Sequence, residues 1–152
     1  MALTLAGCRL TEPGASMHSP GRSLARSSAP LDHQKIRDAI SSYRESNGLA
    51  RVVDDPVLQQ AAQHQANAMA ETGRLDHSVE GAFEERVAAI GRASSHAVEN
   101  LSVGRDSFAA AFSSWRQSEL HNQNLLDPHV TRMGIGKADA SGATYWALIM
   151  TD

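Results

Sequence analysis

Three residues far apart in the chain, His77, Glu99 and His121, have side chains suited to proton transfer or metal binding. Glu99 lies in residues 98–103, which read as a strand. Alternation there puts Glu99 on the same face as Leu101 and Val103, where a carboxylate needs a partner or a chemical task. If the strand instead begins at Asn100, Glu99 is a solvated loop residue, and pattern alone does not choose. Phe108, Phe112 and Trp115 mark one face of a helix beginning near Asp106. The i+3 rule carries that stripe on to Ser118 and then His121. These two polar residues either converge on a cavity or form an ordinary last turn, where the negative end of the helix dipole favours a histidine. His77 follows a helix-ending Gly73 in Leu75-Asp76-His77-Ser78. Alone it reads as a surface residue, as do His64, His96 and His129.

His77 and His121 are 44 residues apart, so no local ligand spacing supports a metal site. Only if the fold made two imidazoles and a carboxylate face one another would they form a donor set for zinc or another divalent ion, with water or Ser118 in the remaining position. They can equally hydrogen-bond to one another and fix loops. A third arrangement is a hydrolase, with Ser118 as nucleophile, His121 as base and Glu99 as orienter. Against it, Ser118 falls on a regular helix rather than a strained turn, and no oxyanion hole is readable. Metal-bound water is the better nucleophile. The sequence carries no HExxH, GxSxG, Walker or GxGxxG pattern.

The elements that must position these groups follow from periodicity. A first helix spans about 32–47, with Asp32 as its N-cap. Residues 49–53 read as a connector. A second helix starts at Asp55-Pro56, buries Leu58, Ala62, Ala66 and Met69, and closes at Gly73. A short helix fits 81–90. Strands fit 132–138, which contains Gly134 and Gly136, and 144–150, joined by a turn at Ser141-Gly142. The last strand is apolar on both faces, with Trp146, Leu148 and Met150 on one and Tyr145, Ala147 and Ile149 on the other. Such a strand is covered on both sides. The expected fold class is α+β: a three-layer α-β-α sandwich with a central, mainly antiparallel sheet.

The 152 residues suffice for one domain with a real core, and 41% of them are apolar. A net charge of −3 gives no basic excess to drive nucleic-acid binding. No apolar run approaches a membrane span. The single cysteine, Cys8, excludes an intrachain disulfide and a four-cysteine zinc site. Residues 1–8 end in Leu5-Ala6-Gly7-Cys8, which resembles the bacterial lipobox, in which the cysteine receives lipid. Only seven residues precede Cys8 and none is basic, so the signal is expected to begin further upstream. Residues 9–30 contain Pro13, Gly14, Pro20, Gly21 and Pro30 and no apolar period, as in a flexible tether. Residues 31–152 form the folded domain.

The ordered set of motifs carries a resemblance. Tyr43-Arg44 comes first, then Gly73-Arg74-Leu75-Asp76-His77-Ser78 and Val98-Glu99-Asn100-Leu101. The segment from Trp115 to Leu126 follows, and Met133-Gly134-Ile135-Gly136 and Tyr145-Trp146 end the series. The chain resembles the CAP superfamily of cysteine-rich secretory, antigen 5 and pathogenesis-related proteins (the SCP domain), and most of all its compact bacterial branch. The resemblance implies an α-β-α sandwich with a cavity lined by His77, Glu99 and His121, the second acid of eukaryotic members falling at Ser118. It implies an exported protein of the cell envelope, secreted or anchored in the membrane through lipid on Cys8. Its expected partner is an envelope lipid, glycan or protein and no nucleic acid. A divalent metal, zinc foremost, is expected on His77, His121 and Glu99. Non-catalytic binding is the leading expectation, and a peptidase-like hydrolase using the same cavity is the alternative.

Overall fold

A computed structural model describes residues 30–93 and 95–152. Cys8 and residues 9–29 of the expected tether lie outside the described residues. Helix α1 (His33–Ser46) begins at Asp32, whose carboxylate accepts the Lys35 backbone N–H. Strand β1 (Val53–Asp54) replaces the end of the expected connector. It leads into α2 (Pro56–Thr72), where Asp55 accepts the N–H groups of Val57 and Leu58, and Pro56 occupies the first turn. Gly73 ends α2 in the left-handed conformation, φ 66°. Then come α3 (Phe83–Ala89), β2 (Ala97–Val103), α4 (Phe108–Gln117), α5 (Glu119–Leu125), β3 (Arg132–Ala140) and β4 (Ala143–Thr151). Among the described residues, no helix is long and apolar enough to cross a membrane.

The four strands form one sheet in the order β1-β3-β4-β2. Its β3–β4 and β4–β2 pairs are antiparallel and its β1–β3 pair is parallel. The alternation expected of β4 holds. Trp146, Leu148 and Met150 join Ile36 and Ile40 of α1 and Phe112 and Trp115 of α4 in one core layer. Tyr145, Ala147 and Ile149 face the other way, against Ala66, Met69, Leu58 and Ala62 of α2. The three-layer sandwich is therefore present, with α2 alone forming most of one outer layer.

Gly134 and Gly136 explain how α2 approaches so closely. A Cβ on Gly134 would stand 2.1 Å from the Leu58 carbonyl carbon, and one on Gly136 would stand 2.2 Å from the Ala62 carbonyl oxygen. β1 is too short to cover the length of β3, and two α2 side chains, Gln59 and Gln63, take its place. Gln63 Nε2 donates to Lys137 O at 2.7 Å, and its Oε1 accepts the Lys137 N–H at 3.2 Å. Gln59 makes the same reciprocal pair with Ile135. On the far flank, β2 is covered likewise. Asn124 Nδ2 donates to Glu99 O at 3.2 Å, and Trp115 Nε1 to Leu101 O at 3.0 Å.

The expected single helix from 106 through His121 is two helices. Ser118 lies between them in extended backbone, φ −93° and ψ 122°. Serine competes for local hydrogen bonds and so is comfortable at helix ends. The i+3 stripe from Trp115 therefore stops at Ser118, and His121 belongs to a new helix with its own direction.

Arg44 holds the segment after α5. Its side chain is 1% exposed and bonds to four main-chain carbonyls. Nε donates to Ala50 O at 3.0 Å, Nη1 to Leu125 O and Asp127 O at 2.8 and 2.9 Å, and Nη2 to Val130 O at 3.0 Å. Tyr43, next to it, reaches α5, with its hydroxyl donating to Asn122 Oδ1 at 2.7 Å.

Candidate functional site

The loop that carries His77 is pinned from below. Gln65 of α2, fully buried, donates to Asp76 O at 2.9 Å. The Ser78 N–H donates to Asp76 Oδ1 at 2.8 Å, and Arg86 Nη2 donates to His77 O at 2.9 Å. These contacts present the His77 ring to Glu99. Its Nδ1–H donates to Glu99 Oε1 at 2.7 Å, which leaves Nε2 as the outward nitrogen.

Glu99 is on β2 and faces inward, so the solvated-loop alternative does not hold. Its side chain is 1% exposed. Arg86 of α3 compensates the buried carboxylate, with Nη2 2.9 Å from each of its two oxygens. Arg86 was not expected from sequence. It lies on a seven-residue helix rich in charge, FEERVAA, where its tertiary partner is out of view. Val103, expected on the buried face with Glu99, is exposed at the end of the strand.

His121 comes from the other side of β2. Asn100 Nδ2 donates to His121 O at 2.9 Å, and Asn124 Nδ2 donates to Asn100 Oδ1 at 2.9 Å, so α5 is fastened to the strand beside Glu99. The two histidines have opposite proton affinities. The Glu99 hydrogen bond raises the His77 pKa against an opposing effect of burial. Burial, and then the charge of His77, lower that of His121. Near neutral pH, His121 is thus a neutral imidazole. Ser118 is half-buried and, among the described residues, hydrogen-bonds to neither His121 nor Glu99 through its side chain.

These shifts make a prediction for the metal-free protein. In an NMR pH titration, His77 should titrate above the ordinary 6.5 and His121 below it. The His77 contact therefore stabilises the fold fully below pH 6.5 and is lost as pH rises through its folded value. For His121 the sign reverses. Its environment costs nothing above 6.5 and destabilises as pH falls from there through the depressed folded value. Glu99→Gln should bring the His77 midpoint down and cost about 1–2 kcal/mol, because the partly buried Arg86 cation loses its counter-charge. An unmoved His77 midpoint in that variant would contradict the assigned cause.

A cleft of about 740 Å³ opens between α2 and α3. Val57, Ala61, Ala89 and Ile90 supply its apolar lining, and His64, Glu80 and Arg86 are among its polar groups. His64 and Glu80 pair with each other. The cleft does not include His77, Glu99 or His121. It meets that cluster through Arg86 alone.

The sequence profile of the cysteine-rich secretory protein family, CAP, matches residues 37–150. The chain belongs to the CAP family. A curated relative of this CAP domain is the uncharacterized protein YkwD of Bacillus subtilis, 25% identical over 118 residues, which are 76% of this chain and 46% of that protein. The CAP domain thus spans about half of that relative's length. Solved CAP-like folds include an outer surface protein from Borrelia burgdorferi, with TM-score 0.72 and 17% identity, covering 80% of this chain and 92% of that one. Another is an extracellular protein containing a SCP domain from Bacillus anthracis, with TM-score 0.70 and 23% identity, covering 77% of this chain and 39% of that one. These likenesses match the CAP sandwich described above.

Proposed function

We propose that this CAP domain is a non-catalytic binding module that works outside the cytoplasm and takes an envelope lipid, glycan or protein ligand. The observation that carries this reading is the state of Glu99. Both of its oxygens are engaged by Arg86, one of them also by His77, and the side chain is sealed from solvent. Such a carboxylate positions an imidazole, and its burial keeps both oxygens out of a substrate's reach. Ser118 is also not bonded to a base, which weighs against a serine hydrolase. The cleft beside Arg86 combines an apolar floor with a few polar groups, as small-ligand sites do. Placement in the envelope draws on two of the relatives, one an outer surface protein and one extracellular. Lipid on Cys8 would be the anchor.

A divalent ion, zinc foremost, would draw on the chemistry of His77 and His121. His77 has an outward Nε2 oriented by Glu99, and His121 is held neutral by burial, so the two imidazoles would be the ligands. Glu99, engaged as it is, would hold His77 in place rather than bind the ion. When bound, the ion would supply a positive centre able to attract an anionic ligand group.

The test is a binding experiment. The full chain is mixed with vesicles of bacterial phospholipid and, separately, with soluble cell-wall glycan fragments, and retained species are read by native mass spectrometry. Retention of an intact ligand that falls at least tenfold in Val57→Trp, which enlarges a 42% exposed side chain lining the cleft, is the expected result. Turnover of either material that disappears in Ser118→Ala would overturn the non-catalytic reading.

A further inference from the structure

We propose that His96, Asp127 and His129 form a metal site separate from the His77 cluster, one that takes a borderline divalent cation such as zinc. The sequence gives no hint of it, because its donors come from either side of α4 and α5. The sheet brings them together. Thr151, near the end of β4, pairs with Ala97 on one side and Arg132 on the other. The residues that lead into β2 and β3 therefore emerge at one end of the sheet. His96 is tied there by its carbonyl, which accepts the Asp152 N–H at 3.2 Å, and the next segment by the Thr131 N–H donating to Thr151 O at 2.7 Å.

The three side chains already converge. His96 Nε2 is 2.6 Å from Asp127 Oδ2, and His129 Nδ1 is 3.0 Å from Asp127 Oδ1. One ligand atom from each residue lies within 4.8 Å of the others. The two rings are 5.0 Å apart between centroids, at 53°. Closing three such atoms on an ion with bonds of about 2.0–2.2 Å needs ring rotations that move them on the order of 1 Å. The exposed imidazoles have that freedom, with side-chain exposures of 48% and 69%. The carboxylate is the fixed member. It accepts the His129 N–H at 2.9 Å, and its main chain is clamped by the buried Arg44. Two imidazole nitrogens and one carboxylate oxygen suit zinc, nickel, copper or cobalt. Calcium and magnesium prefer all-oxygen shells. The exposed side of the group leaves room for water or a donor from another molecule.

The measurement is zinc calorimetry on the full chain, in wild type, in His77→Ala/His121→Ala and in His96→Ala/His129→Ala. The middle variant should keep a zinc-binding event. Single His96→Ala and His129→Gln changes added to that background should each weaken it at least tenfold. The zinc-dependent rise in melting temperature should disappear with them, and circular dichroism without zinc should stay unchanged, because both rings are exposed. Zinc binding that survives in His96→Ala/His129→Ala and vanishes in His77→Ala/His121→Ala would overturn the proposal, leaving a hydrogen-bonded His–Asp–His trio. Calcium binding as tight as zinc would overturn the assigned cation class. Neither failure touches the ligand-binding reading, which rests on other residues.

Discussion

Gly136→Ala is expected to lower stability by about 3 kcal/mol or more, read as a lower urea midpoint with an unchanged slope. The melting temperature should fall by roughly 12 °C or more, at about 4 °C per kcal/mol for a domain of this size. The methyl group would stand 2.2 Å from the Ala62 carbonyl oxygen and 2.5 Å from the Gln63 Cα. Those are main-chain atoms of α2, so no rotamer change relieves the clash. The helix must lift off β3, and lifting it breaks the Gln63 pair with Lys137. Ala62→Gly should not rescue the variant, because it leaves that carbonyl in place. Rescue would show that the close approach is not the cause.

Arg44→Ala should cost about 4 kcal/mol in the same denaturation experiment. It leaves four main-chain carbonyls without their donor and opens a cavity where a fully buried side chain stood. Arg44→Lys should recover only part of this, because one ammonium cannot reach acceptors arranged around a planar fork. The local effect should also reach Asp127, whose carbonyl is one of the four, so hydrogen exchange in residues 125–131 should accelerate before the rest of the domain does. Uniform exchange across the domain would mean that Arg44 supports the core at large rather than this segment.

The sandwich itself was legible because β4 is apolar on both faces from Tyr145 to Met150, and only a strand between two layers can bury both rows. Asp32, Pro56 and Gly73 likewise marked helix ends through local chemistry that tertiary structure did not override. Ser118 shows the opposite case. A helical stripe continues across a serine as readily as it stops there, and hydrophobic spacing does not record the one residue that turns extended. Glu99 and His77 were singled out, but their partner Arg86 was not, since a basic residue on a short polar helix looks solvated until the fold buries it. Arg44 stood in a recognised motif with no stated task. A side chain bonded to carbonyls from two distant stretches of chain has no signature in local sequence. His96 and His129 read as isolated surface histidines for the same reason, because their meeting depends on where β4 ends.

Gln59, Gln63, Trp115 and Asn124 have one further consequence. Each places a side-chain amide or indole where another molecule's backbone would otherwise have to add itself to extend the ladder. A strand of a second copy would find these positions on β3 and β2 already taken.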